Sequence, residues 1–125
     1  MEPLLGEIRL FAAGFSPRGF LTCDGRLLPI SEHSALYAVI GKTYGGDGTT
    51  TFALPDLRGR VALGMDASKP GFALGNTGGS ADLTTPVAAG TGAFGADGVD
   101  SGENLQPYLA VTYMIAVEGV FPARW

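Results

Sequence analysis

Apolar and polar residues alternate through Glu7-Ile8-Arg9-Leu10-Phe11-Ala12, with Ile8, Leu10 and Ala12 on one side. A period of two predicts a strand with one face half-buried. Gly14 and the Pro-Arg-Gly run at 17–19 end it, and Phe20-Leu21-Thr22-Cys23 starts a second strand. Asp24-Gly25 follows, a strong hairpin signal that predicts a returning strand over residues 26–30. Ser31 then stands where an N-cap belongs, before a helix over residues 33–41. Leu36, Val39 and Ile40 share one face of that helix, and Gly41 suits its C-terminal stop.

The chain changes texture twice. Residues 67–105 are rich in Gly, Ala, Asp and Thr, and their apolar residues are sparse. Such a segment buries too little to fold alone and is expected to be a long loop laid on a core. Over residues 106–121 the apolar density rises on both faces. Leu109, Val111, Tyr113, Ile115 and Val117 lie on one, and Tyr108, Ala110, Met114 and Ala116 on the other. A strand of that kind belongs inside a sheet covered on both sides, or against a neighbouring subunit. It is expected to pair with the N-terminal strand, so the chain reads as one folded unit of three parts: residues 1–66, the loop 67–105 and the closing strand 106–125. The fold class is β-rich α+β, a small mixed sheet with one short helix, a long Gly/Ala-rich loop and a C-terminal strand closing the sheet.

Composition sharpens this picture in one respect. Of 125 residues, 46 % are hydrophobic but only 16 % are charged, against a usual charged fraction of about 25 %. A surface so short of charge is poorly protected against self-association. The formal net charge is −4 and the eight basic residues form no cluster, which argues against nucleic acid as a partner. The apolar run at 109–117 is interrupted by Thr112 and falls far below the ~20 residues that span a bilayer, so no membrane insertion is expected. Glu2 occupies the region where a secretory leader is positively charged, so no classical signal peptide is expected either.

Candidate chemistry is thin. Cys23 is the sole cysteine, which excludes an intrachain disulfide and reads as a small buried residue. His33 is the sole histidine, so there is neither a histidine pair for zinc nor an evident Ser-His-Asp arrangement. Gly41-Lys42-Thr43 ends like a phosphate-binding loop, but Leu36 replaces the glycine that motif needs. Asp97, Asp100 and Glu103 could offer oxygens to calcium, though not at EF-hand spacing, and Gly98 and Gly102 mark turns there. No catalytic, cofactor-binding or metal-binding residues are therefore assigned, no cofactor is expected, and the chain does not read as an enzyme.

The densest local pattern is TYGGDGTTTFALPDLRGR, residues 43–60. Gly45, Gly46 and Gly48 open backbone angles closed to other residues. Thr49 to Phe52 can form a short strand, Pro55 fixes a bend, and Asp24, Asp47 and Asp56 each sit beside Gly or Pro, where aspartate orders turns. Asp56 is placed to bond local amides or to pair with Arg58 or Arg60, a bidentate geometry for which guanidinium is suited. These residues read as a rigid corner rather than a ligand cradle.

Cys23-Asp24-Gly25, Tyr44-Gly45-Gly46-Asp47-Gly48 and Phe52-Ala53-Leu54-Pro55-Asp56-Leu57-Arg58-Gly59-Arg60 together resemble the phage tail collar domain over residues 5–64. That domain occurs in short tail-fibre proteins of tailed phages and in bacterial microcystin-dependent proteins, and NLQPYLAVTYMIAVEGVFP resembles the C-terminus of the bacterial members. The resemblance implies a non-catalytic structural module that assembles with copies of itself. Metal binding at a histidine-rich tip is not implied, because residues 71–103 contain no histidine.

The leading expectation is a subunit that self-assembles into an extracellular filament or a virion-tail-like fibre by strand addition. The candidate assembly strands carry Ile8, Leu10 and Phe11, or Leu109, Val111, Tyr113, Ile115 and Val117. The alternative is an adhesin acting as a closed trimer, with residues 66–103 recognising a cell-surface receptor or glycan.

Overall fold

The computed structural model describes residues 2–79 and 106–124. The elements run β1 (Ile8–Phe11), β2 (Phe20–Thr22), β3 (Leu27–Pro29), α1 (Ser34–Ile40), β4 (Thr51–Ala53) and β5 (Thr112–Ala116). All lie in one compact unit made of residues 1–76 and 111–125; residues 77–110 form a second unit, whose described residues carry neither helix nor strand. The class is β-rich α+β, but the strands divide between two antiparallel sheets, β1-β5-β2 and β3-β4, where one mixed sheet was expected.

β5 is the central strand of the first sheet. Ile8 faces Ile115 on one side of it and Leu21 faces the same residue from the other. Met114, Ile115 and Ala116 are consequently buried, which is why this stretch is apolar on both faces. The strand is shorter than the sequence suggests. β1 ends at Phe11 opposite Thr112, so residues 106–110 have no ladder to join.

The entry to β1 is a bulge. Glu7 N–H donates to the Leu4 carbonyl at 3.0 Å across a turn whose third residue, Gly6, has φ +86°. Gly6 N–H donates to the Ala116 carbonyl and Ala116 N–H donates back to the Glu7 carbonyl, so two residues oppose one. This is the glycine-type bulge that follows a type II turn, and only glycine takes its first position without strain. The bulge also lets α1 approach, since Val39 Cγ1 lies 3.2 Å from where a Gly6 Cβ would be.

The alternation in β1 has the opposite sense from the one expected. Ile8 and Leu10 are the exposed side chains, and Arg9 and Phe11 are half-buried. Arg9 lies over the Phe20 ring at 5.5 Å and Phe11 meets the Phe15 ring edge-on at 5.6 Å. β1 stands at the sheet edge, beyond the reach of the core that covers Ile115.

The Asp24-Gly25 hairpin does not form. β2 pairs with β5, and β3 pairs with β4, with Leu28 opposite Phe52. Asp24 instead bridges to Asp56, and the chain crosses from one sheet to the other at this point. Nor does Ser31 cap the helix. Glu32 N–H and His33 N–H donate to the Pro29 and Ile30 carbonyls in successive turns, and His33 occupies the N-cap position without a side-chain bond. Gly41 does stop the helix, donating to the Tyr37 carbonyl at 2.7 Å. Cys23, Leu28, Leu36, Phe52, Leu54 and Ile115 form the core between the two sheets and the helix.

Candidate functional site

The corner at residues 43–60 is held from within. One Asp47 oxygen, Oδ1, accepts the N–H groups of Thr49, Thr50 and Thr51 at 2.7, 2.8 and 2.9 Å, and Oδ2 accepts the Thr50 hydroxyl at 2.9 Å. The three backbone bonds, Thr51 first, hold this carboxyl well below the usual aspartate range. Gly48 N–H donates to the Thr51 carbonyl and the Tyr37 hydroxyl donates to the Gly48 carbonyl, which fastens the loop to α1. A carboxylate with four internal donors has little left for a metal or a phosphate-bound cation. The three threonines supply those donors, so the GGDGTTT spacing is accounted for by the loop itself.

Gly46 lies flat on β4. A Cβ there would overlap Phe52 Cα and stand 2.7 Å from the Thr51 carbonyl oxygen, and its φ is +92°. Ala53 N–H donates to the Gly45 carbonyl alongside. The glycine pair therefore packs main chain on main chain, directly over the fully buried Phe52.

Past the buried Leu54 and Pro55, Asp56 receives Arg58 in a two-point grip, Nε to Oδ1 and Nη2 to Oδ2, both at 2.8 Å. Arg58 N–H also donates to Oδ1, while Arg60 donates to the Asp56 carbonyl at 2.8 Å. Across the bridge, Asp24 holds Arg26 in the same way, Nε and Nη2 at 3.0 and 2.9 Å. The Arg58 guanidinium holds the Asp56 carboxyl below the usual aspartate range, as Arg26 does that of Asp24. Gly25 N–H donates to the Pro55 carbonyl and Leu57 N–H to the Cys23 carbonyl, so two Asp-x-Arg clamps stand back to back across one bridge. The sequence reading found the second clamp and missed Asp24–Arg26, although both share the Asp-x-Arg spacing that signals it.

Cys23 lies fully inside, and burial, helped by the Asp24 charge, pushes its thiol up to about 11. Cys23, Asp24, Gly25, Gly45, Gly46, Asp47, Gly48, Phe52, Pro55, Asp56, Arg58, Gly59 and Arg60 thus form one continuous corner, with Gly59 on its open side. Among the described residues, no three His, Cys, Asp or Glu side chains converge on one point. Nor is any helix among the described residues long and apolar enough to cross a membrane. Asp97, Asp100 and Glu103 lie outside the described residues.

The expected assembly residues are placed unequally. Tyr113 and Ile115 sit in β5, whose two edges are both taken by β1 and β2. Val111 and Val117 flank it, and Leu109 belongs to the second unit. Ile8, Leu10 and Phe11 sit in β1, whose outer edge has no strand beside it among the described residues.

The family described as Phage Tail Collar Domain matches residues 6–62. Protein RhiB of Rhizobium leguminosarum bv. viciae is 42 % identical over 53 residues, 40 % of this chain and 24 % of RhiB, so the match spans about a quarter of that relative's length. No solved structure matches the chain. The matched region runs from the Gly6 bulge through both Asp-x-Arg clamps to the residues just past Arg60, so the part of this chain that is similar to the phage tail collar domain, just under half of it, takes in the corner whole.

Proposed function

We propose that this chain is a non-catalytic subunit that assembles with copies of itself into a tail-like or extracellular fibre. The observation that carries this reading is the outer edge of β1, which presents Ile8 and Leu10 at 40 % and 60 % exposure and has no strand beside it among the described residues. An edge of that kind is a template for another strand unless it is blocked by charge, proline or a covering element. The corner supplies the rigidity such a subunit needs, since its polar groups are spent on one another rather than on a ligand.

Electron microscopy of the purified protein across a concentration series tests the proposal. Filaments with a regular subunit repeat are the expected result. A protein that remains monomeric at every concentration would overturn it. Discrete closed particles would turn attention to a closed oligomer that binds a cell-surface receptor or glycan.

A further inference from the structure

Arg60-Val61-Ala62-Leu63-Gly64-Met65-Asp66 alternates apolar with small residues, yet it is neither helix, strand nor turn. Val61, Leu63 and Met65 are 82 %, 68 % and 52 % exposed. No main-chain group of residues 61–65 bonds to another described residue. Both ends of this arm are nevertheless fixed. Arg60 N–H donates to the Leu57 carbonyl and its guanidinium to the Asp56 carbonyl. Asp66 closes a turn with Phe72, donating at 2.7 Å, and its carboxylate accepts the Ser68 N–H and hydroxyl. A segment held at both ends loses less freedom on binding than a free tail.

We propose that residues 61–65 of one copy add as a parallel strand to the outer edge of β1 in a second copy. The inference rests on the self-assembly reading and names its two surfaces. Ala116 N–H donates to the Glu7 carbonyl, so by antiparallel alternation Glu7, Arg9 and Phe11 face β5 with their main chain, and Ile8 and Leu10 turn theirs outward. A parallel strand set with Val61 beside Ile8 places Leu63 beside Leu10 on the same face. On the other face small residues meet large ones: Ala62 beside Arg9 and Gly64 beside Phe11. Arg60 then stands beside Glu7, and Asp66 lies clear of it. The antiparallel register that pairs Leu63 with Leu10 would instead bring Asp66 against Glu7. Side-chain volume is matched in both, and charge selects the parallel arrangement over that register. Because donor arm and acceptor edge are different surfaces, each copy gives one and receives one, which produces a filament when the rotation does not close.

The test compares the full-length wild type with Leu63→Asp, and mixes Leu10→Cys protein with Leu63→Cys protein under oxidation. Leu63→Asp should leave the circular dichroism spectrum and thermal midpoint unchanged, because the side chain is exposed, while reducing sedimentable polymer at least tenfold. The two cysteine variants should form a covalent heterodimer at least tenfold faster than Leu63→Cys mixed with Arg18→Cys, with the buried Cys23 inert in all of them. Wild-type filaments accompanied by equal assembly of Leu63→Asp, or by crosslinking no faster than the Arg18→Cys control, would overturn the arm-to-edge contact and leave self-assembly standing. A monomeric wild type would overturn both.

Discussion

Replacing Gly46 with alanine tests whether the glycine-rich corner is architecture. The new Cβ would overlap Phe52 Cα and lie 2.7 and 2.9 Å from the Thr51 carbonyl oxygen and the Phe52 amide. These are backbone atoms of β4, fixed by its pairing with β3, so no side-chain rotation relieves the overlap. The positive φ alone costs about 1–2 kcal/mol. Forcing a methyl group into packed main chain adds about 1–3 kcal/mol. Gly59→Ala is the matched control, because Gly59 has φ +67° but nothing within 4 Å of its Cβ position. Its cost should be the conformational part only, about 1 kcal/mol. The two variants should therefore differ by at least about 1 kcal/mol, which for a compact unit of this size separates their thermal midpoints by roughly 4–8 °C or more. Thermal melts followed by circular dichroism read the difference. Equal midpoints for Gly46→Ala and Gly59→Ala would refute the claim that the glycine pair exists to press main chain on main chain.

Other outcomes follow from the same geometry. Phe52→Ala empties the largest fully buried side chain and should cost about 3–5 kcal/mol, measured by urea denaturation. Asp47 and Asp56 both titrate below their ordinary values in the folded chain, so the unfolded chain takes up protons first as pH falls. Their stabilisation is complete well above about pH 4 and is lost progressively below it. Melts at pH 7 and pH 2.5 should show the gap between wild type and the double variant Asp47→Asn/Asp56→Asn shrink in acid; a constant gap would count against the carboxylate bonds. Cys23, with its thiol pushed up to about 11, should resist a thiol reagent at pH 8 until denaturant is added, since only roughly one thiol in a thousand is ionised there. Rapid labelling of the folded protein would contradict its burial.

The reading of fold from sequence succeeded where local chemistry governs. The Gly41 stop, the Phe52 strand and the Asp56–Arg grip depend on residues within a few positions of one another, and each is present. It failed where a local signal competed with a distant partner. Asp24-Gly25 is a sound hairpin signal, yet Asp24 bridges to Asp56 and Gly25 bonds to the Pro55 carbonyl, so the turn joins two sheets instead of two neighbouring strands. Ser31 has a capping side chain, but the carbonyls of Pro29 and Ile30 had already tightened the chain ahead of it.

What the sequence determined by itself was the turn ordered by Asp47 and the Asp56–Arg58 grip, because residues at close spacing satisfy one another's polar groups there, whereas the bridge from Asp24 to Asp56 came from tertiary pairing. It pointed, too, to β5 lying inside a sheet covered on both sides or against a neighbouring subunit, and the tertiary structure set it between β1 and β2. Only the tertiary structure decided which side of β1 is covered. Alternation fixes that Ile8 and Leu10 share a face, but not where the core stops. Here it stops at Ile115, one strand short of them, and Arg9 takes the inner place over Phe20. The same holds for residues 61–65, whose alternation is a strand's but which pair with no strand among the described residues.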